Sequence, residues 1–259
     1  MKNTILITGA SGGIGKEFAL VAAKNQNDVV LVARTEDRLK SLCEKITATY
    51  EVKADYVVAD LSEYGSAEKL YEEVINRGFK VNYLINNAGF GDYGNFVERS
   101  LVKYRQMIHL NMTSLTELSW LFAKEMINEK RGAILNIAST ASFQPDPYMA
   151  VYGATKSFVA NFTEALSYEL KDTGVTATVL SPGATITGFF DEAQMGESKM
   201  MGSKMMAADK VARIGYDAMM KGKLHVIPGF MNKVLSFFSA MMPPSKLKLK
   251  IGADILGKK

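Results

Sequence analysis

Cysteine is nearly absent from this chain of 259 residues, and histidine and tryptophan are scarce. Cys43 stands alone and cannot close an intramolecular disulfide. With only His109 and His225 beside it, no Cys/His cluster has the spacing of a zinc site, so no metal is expected and a reducing, cytoplasmic compartment fits. Long apolar runs are missing as well: the best candidate, residues 234–242, is broken by Ser236 and Ser239 and stops at Pro243, well short of the roughly 18 residues a spanning helix needs. The apolar stretch Thr4 to Thr8 is too short for a secretory signal and is followed by glycines, with no small-residue cleavage site. An excess of one charge is also lacking in the body. The net charge of +4 arises in residues 244–259, which hold five Lys and one Asp, and the remaining residues carry 26 charges of each sign. Nucleic acid is therefore not an expected partner, and attraction to an anionic surface is confined to the tail.

What is present reads as an ordinary globular chain, 47% hydrophobic and 22% charged. Short β-branched runs at Thr4 to Thr8, Val29 to Ala33, Asp55 to Ala59, Val81 to Asn86, Ala133 to Ala138, Val175 to Leu180 and Leu224 to Ile227 alternate with stretches of helical period such as Glu36 to Tyr50 and Ser66 to Arg77. This βαβα rhythm predicts a parallel α/β sheet with helices on both faces and ligands beyond the carboxyl ends of the strands. Neither a repeat nor a Pro/Ser/Gly linker divides the chain, so a single domain over residues 1–259 is expected. Composition shifts after about Gly188: ten of the fifteen Met fall between Met195 and Met242. Met adapts to varied apolar shapes, and the interrupting glycines and lysines argue against a core helix, so a mobile substrate flap is expected at about 188–210.

Directly after the first strand comes Thr8-Gly9-Ala10-Ser11-Gly12-Gly13-Ile14-Gly15, with a helical pattern following. A strand-to-helix turn that meets a pyrophosphate needs glycine where φ is positive and where a Cβ would block the phosphates. Gly9, Gly13 and Gly15 fit that role, with Ser11 and Ile14 in the same loop. An acidic residue at the end of the second strand would bind a ribose 2′-hydroxyl; here the pair is Ala33-Arg34, with Arg38 one turn on, which favours a 2′-phosphate and thus NADP(H) over NAD(H). Asp60, followed by Leu61, either caps the next helix or accepts from the adenine amino group. Asn87, Ala88 and Gly89 form a turn suited to lie against the cofactor.

The segment Tyr152-Gly153-Ala154-Thr155-Lys156 sets a phenol and an ammonium on one helix face at i, i+4. The ammonium, joined by an oxidised nicotinamide, is expected to lower the phenol from its free pKa of about 10, so that Tyr152 donates or accepts the proton of a carbonyl/alcohol exchange. Ser139, at the end of the fifth strand, can orient the carbonyl. Asn111 lies inside the helical stretch Leu101 to Asn128, where its side chain needs a partner; a water-mediated link to Lys156 would supply one.

In order along nearly the whole chain, Thr8 to Gly15, Asp60, Asn86 to Gly89, Asn111, Ser139, Tyr152/Lys156 and Pro182-Gly183 resemble the short-chain dehydrogenase/reductase family. The Ala33-Arg34 pair resembles its NADP-preferring members, and Asn86 to Gly91 with the Ile227-Pro228-Gly229 tail resembles a bacterial branch similar to ketoacyl reductases. The resemblance implies a seven-stranded, doubly wound Rossmann sheet and the catalytic tetrad Asn111, Ser139, Tyr152 and Lys156. It implies further that Lys156 binds the nicotinamide ribose, that Asn87 to Gly89 support the cofactor, and that Pro182, Gly183, Thr185 and Thr187 bracket the carboxamide. One departure is that position 12 is glycine where some NADP-dependent relatives carry Lys, which leaves phosphate recognition to Arg34.

Phe90, Phe143, Tyr148 and Met149, then Phe189 and Phe190, border the reacting groups in sequence and point to an apolar ketone, aldehyde or alcohol as the small-molecule substrate. The same rings also suit buried loop supports. After Phe230 comes an amphipathic basic extension, about 231–259, ending in Lys246-Leu247-Lys248-Leu249-Lys250-Ile251. It can rest on an anionic membrane, pack against another subunit of a homo-oligomer (dimer or tetramer), or stand in solvent. The rival to an oxidoreductase is a noncatalytic dinucleotide sensor or scaffold on the same fold; the intact tetrad argues against it.

Overall fold

Three consecutive apolar residues, Ile5, Leu6 and Ile7, have no solvent exposure. A strand covered on both faces reads this way, because successive side chains enter opposite layers. Ile5 and Ile7 pack with Phe18, Ala19 and Val211 on one side of the sheet, and Leu6 packs with Leu70, Val74 and Phe122 on the other. The two layers are the two halves of the core.

The structure is a computed structural model that describes residues 2–196, 198–199, 205–243 and 245–257. The first half alternates β1 (Thr4–Thr8), α1 (Gly13–Lys24), β2 (Asp28–Ala33), α2 (Glu36–Thr49), β3 (Ala54–Val58), α3 (Ser66–Asn76) and β4 (Val81–Asn86). The second continues with α4 (Leu101–Ile108), α5 (Leu115–Asn128), β5 (Gly132–Ile137), α6 (Ala150–Glu169) and β6 (Val175–Leu180). Short strands β7 (Thr185–Ile186) and β8 (Met206–Ala207) flank α7 (Phe189–Glu192), and α8 (Ala208–Met220), β9 (His225–Val226), α9 (Phe230–Met241) and α10 (Lys246–Leu256) follow. The main sheet has seven parallel strands in the order β3-β2-β1-β4-β5-β6-β9, the doubly wound arrangement expected. Chain direction across the sheet reverses between β1 and β4, which opens a crevice at their carboxyl ends. The edge strand β9 is shorter than its sequence pattern because it pairs only through Val179 with His225 and Leu180 with Val226.

The stretch 101–128 is not one continuous α-helix. A π-helical turn, His109–Ser114, separates α4 from α5. Three side chains in this turn reach outside the helix: Ser114 Oγ donates to Leu61 O at 2.6 Å, His109 Nε2 lies 3.1 Å from Glu63 O, and Asn111 meets Phe90. These tertiary bonds widen the helix locally and aim Asn111 at the crevice.

Candidate active site

At the end of β1 the chain turns at Gly9, whose φ of 67° favours glycine. A Cβ on Gly15 would collide with the Gly9 carbonyl oxygen and lie 2.6 Å from Asn87 Nδ2, so Gly15 acts through close packing and stands behind the cavity wall. Gly9, Ser11, Gly13 and Ile14 form that wall. The first turn of α1 has no acidic residue and no capping side chain, so its amide groups are open to an anion. Thr8 Oγ1 accepts from Asn87 N at 3.0 Å and Ala88 N at 2.9 Å, and Asn87 Nδ2 donates to Thr8 O at 3.0 Å. These bonds fasten the turn Asn87, Ala88, Gly89 to the glycine loop across the crevice.

Arg34 and Arg38 stand on the same wall. The Arg34 guanidinium is 4.0 Å from Asp60 Oδ2 and 3.4 Å from Glu192 Oε1, with its side chain 61% exposed. Asp60 Oδ1 accepts from Ser62 N at 2.9 Å and Ser62 Oγ at 2.7 Å. Its reading as a helix cap is thereby corrected: the carboxylate closes a local turn, and α3 begins later, behind Gly65. Leu61 borders the same space, and Pro182, Gly183, Thr185 and Thr187 line the opposite side, where Thr185 Oγ1 donates to Gly183 O at 2.9 Å.

Tyr152 and Lys156 project from α6 into the cavity, with Lys156 Nζ 5.8 Å from the phenol ring centroid. The ammonium donates to Ile137 O at 2.7 Å. Burial pushes the Tyr152 phenol up to about 12; the Ser139 hydroxyl pulls it down and Asp146 pushes it further up. Burial also brings Lys156 down to about 8, which leaves it charged at neutral pH. The i, i+4 spacing alone therefore does not lower the phenol, whose shift is set by burial, Ser139 and Asp146. Desolvation outweighs attraction when both groups are buried and the ammonium is turned to a backbone carbonyl. Ser139 Oγ accepts from Ala141 N at 3.1 Å, while Ser142 Oγ donates to Lys156 O at 2.9 Å, so the turn after β5 is pinned to α6 and holds Ser139 beside Tyr152.

Asn111 is fully buried and does not reach the cavity surface. Its Oδ1 accepts from Phe90 N at 3.2 Å, and its Nδ2 donates to Phe90 O and to Thr155 Oγ1, both at 3.1 Å. The side chain thus brackets the turn at Gly89 and Phe90 and ties it to α6. Thr155, which the local sequence pattern does not mark, is its partner on α6.

The cavity has a volume of about 1580 Å³ and runs from the glycine loop over Tyr152 to a gap between α9 and α10. Phe90, Met149, Phe189 and Phe190 line it. Phe143 and Tyr148 do not: Phe143 stacks on His225 with centroids 5.6 Å apart, and Tyr148, at φ 67°, turns toward Tyr93. Both are loop supports. Asp146, by contrast, does line the cavity. Burial pushes its carboxyl up to about 7, and Gln144 Nε2 donates to it at 3.3 Å. The signal was a lone acid between two prolines in an apolar segment. Leu235, Phe238, Ile251 and Ile255 of α9 and α10 also line the cavity through tertiary packing that no local pattern announces.

Within the flap stretch 188–210, residues 197 and 200–204 lie outside the described residues. Its two ends are held side by side by β7 and β8, and Phe189 stands 5.3 Å from the Tyr152 ring. Arg99 Nη2 donates to Gln194 Oε1 at 2.6 Å while Arg99 and Lys103 ion-pair with buried Asp92, which fastens this stretch to the turn before α4. Among the described residues no group of His, Cys, Asp and Glu is arranged to hold a metal, and no helix is long and apolar enough to cross a membrane.

Comparison with known proteins agrees with this geometry. The short chain dehydrogenase family matches residues 3–198. Mouse (Mus musculus) 17-beta-hydroxysteroid dehydrogenase type 3 is 33% identical over 181 residues, 68% of this chain and 58% of its own length. A very-long-chain 3-oxoacyl-CoA reductase of Anas platyrhynchos is 28% identical over 261 residues, 98% of this chain and 82% of its own. The chain spans little more than half the length of several such curated relatives. A solved short-chain dehydrogenase from Sphingobium yanoikuyae, in complex with NADPH, superposes with a TM-score of 0.82 at 28% identity, covering 94% of this chain and 97% of that one.

Proposed function

Because this chain belongs to the short-chain dehydrogenase family, we propose that it is an NADP(H)-dependent oxidoreductase interconverting an apolar ketone or aldehyde and its alcohol. The observation that carries the reading is that Ser139, Tyr152 and Lys156 open onto the same cavity as the glycine loop. The donor set fits a dinucleotide: uncapped amides at the start of α1 for the pyrophosphate, Arg34 and Arg38 for a 2′-phosphate, and Lys156 beside Gly89 for the ribose. Bound, such a dinucleotide supplies or takes up the hydride. The Sphingobium neighbour with NADPH supports that cofactor class, and the hydroxysteroid and very-long-chain 3-oxoacyl relatives support a carbonyl on a large apolar body.

In this reading Tyr152 keeps its proton at neutral pH, because burial holds its pKa high, and gives it to the carbonyl oxygen as the alcohol forms. Ser139 Oγ holds the same oxygen. The Lys156 ammonium steadies the phenolate left behind, and Asn111 keeps Gly89 and Phe90 in register with α6. Phe189 and Phe190 of the flap close the apolar wall over the substrate. The exposed Leu101, Val102, Ile108 and Trp120 of α4 and α5 support a homo-oligomer.

The test is turnover of a panel containing a steroid ketone, a long 3-oxoacyl thioester and a simple aryl ketone, with NADPH and with NADH. Tyr152→Phe is expected to lower kcat by about 10² to 10⁴ while NADPH still binds, as read by its fluorescence. Tight NADPH binding by the unaltered chain with no turnover of any ketone would overturn the reading in favour of a sensor or scaffold.

A further inference from the structure

Among the described residues, ten large apolar side chains after position 229 are exposed, including Phe230 at 79%, Phe237 at 60%, Phe238 at 62% and Met241 at 68%. They belong to two helices, α9 and α10, that touch the body along narrow strips. Helix α9 rests on the turn after β5, where Ser239 Oγ donates to Phe143 O at 3.2 Å and Gln144 Oε1 at 3.0 Å. Helix α10 lies against Pro145 and Pro147 through Gly252, and its Leu256 O accepts from Tyr93 Oη at 2.7 Å. Ser236 and Leu256 are also buried, but the large apolar side chains named above stay exposed. Soluble monomers rarely leave contiguous apolar surface beyond a few hundred Å² without a partner.

The bare surface is also the rim of the active-site cavity. Met231, Leu235 and Phe238 recur at helical spacing on α9 and line the cavity with Met242 just past its end, as do Ile251 and Ile255 on α10. Leu235 is nevertheless 59% exposed and Ile255 44% exposed. These side chains therefore form an open apolar lip between Tyr152 and the outside. The charge on α9 and α10 is mainly positive: Lys233, Lys246 and Lys250 are exposed, Lys248 is half-buried with its Nζ donating to Ser239 O at 2.6 Å, and residues 218–253 contain no acidic residue, which leaves Asp254 as the acid on these two helices.

We propose that the α9–α10 face docks on an anionic lipid surface with the cavity mouth against it, so that apolar substrate passes from the lipid into the cavity. The substrate step rests on the oxidoreductase reading above; the docking step does not. Two amphipathic helices with aromatic and aliphatic side chains on one side and lysines at the flank suit burial at the headgroup boundary, where each lysine adds attraction to anionic lipid. A second copy of the chain fits poorly. A twofold contact sets the same patch against itself, so two lysine-bearing faces would meet with only Asp254 of each α9–α10 pair to offset them.

The experiment uses the full chain with NADPH, sedimented with phosphatidylcholine vesicles with and without phosphatidylserine, at low and high salt. Binding at least about tenfold tighter to the anionic vesicles, and lost at high salt, is expected. Lys246→Glu/Lys250→Glu should abolish the preference, and Phe237→Ser/Met241→Ser should weaken binding to every vesicle. None of these four side chains lines the cavity, so turnover of a small water-soluble ketone stays unchanged in both variants. A long-chain ketone dissolved in the vesicles should be reduced faster in anionic than in neutral ones by the unaltered chain and equally by the Lys246→Glu/Lys250→Glu variant. No sedimentation at low salt would overturn the proposal, as would light scattering that shows Phe237→Ser/Met241→Ser converting a dimer to a monomer. Vesicle binding without turnover of any ketone would instead leave docking in place and remove the oxidoreductase reading.

Discussion

The dinucleotide side of the cavity and its far end are built on different terms. Around the glycine loop, backbone is packed against backbone and one short side chain: Asn87 Nδ2 donates to Thr8 O at 3.0 Å, and Gly15 leaves no room for a methyl group beside the Gly9 carbonyl. At the far end, α9 and α10 hold on through a few hydrogen bonds and leave Phe237 and Phe238 more than half exposed. The difference teaches where selection of a ligand resides. A constant ligand is met by atoms that cannot move, and a large apolar one by side chains that can.

Two neighbouring glycines offer the strongest way to break that comparison. Gly15→Ala drives a methyl group into the Gly9 carbonyl and the Asn87 amide, neither of which can yield without opening the loop. A loss of about 4 kcal/mol of stability is expected, with NADPH binding reduced beyond detection. Gly12→Ala is the control: nothing lies within 4 Å of its Cβ, and its φ of −173° is open to any residue. Its stability should stay within about 0.5 kcal/mol of the parent by urea unfolding. Equal losses at both positions would mean that the loop is less tightly packed than the geometry requires.

Asp146 sits at the seam between the two regions, on the loop roofed by Gly252 of α10. Its carboxyl, raised to about 7 by burial, binds a proton in the folded chain that the unfolded chain has already released above about pH 4. Its contribution to stability is therefore full below that ordinary carboxylate value and is lost as pH rises through about 7. Asp146→Asn, always neutral, lacks this penalty. Relative to the parent, the variant should gain on the order of 2 kcal/mol between about pH 5 and about pH 8 in urea unfolding. A constant difference across that range would show that α10 does not keep water from the carboxyl.

The same contrast governs what the sequence disclosed. Glycine at 9 and 13, the phenol and amine one helical turn apart, and Ser139 at a strand end are local patterns, and each occupies the crevice its strand or helix predicts. The order of the strands follows from the βαβ rhythm, since right-handed crossovers leave few alternatives. Asn111 was legible as an awkward helix residue but its partners were not, because Phe90 and Thr155 are 21 and 44 positions away and meet it only through the π-helical turn. Phe143 and Tyr148 fall to the loop-support alternative for a related reason: nearness in sequence to Tyr152 does not say which way a loop side chain turns. The far wall, from Leu235 to Ile255, depends on how α9 and α10 dock, and the exposed residues on both helices blur the apolar stripe that would have marked one face.

The smallest effects lie at Arg34, where the two regions touch. Its guanidinium reaches Glu192 of α7 at 3.4 Å and Asp60 at 4.0 Å, and all three side chains are substantially exposed. Arg34→Ala should weaken NADPH binding by about tenfold and leave NADH binding nearly unchanged, since only a 2′-phosphate needs the charged donor. Glu192→Gln acts in the opposite sense. It frees the guanidinium from a competing carboxylate and removes a negative charge from the neighbourhood of the phosphate, but an exposed pair of this kind is worth under about 1 kcal/mol. NADPH affinity should therefore rise only about two- to threefold, with NADH as the internal reference in the same fluorescence titration and the gain vanishing at high salt. A gain shared by both nucleotides would assign Glu192 to the closing of α7 over the cavity rather than to rivalry for Arg34.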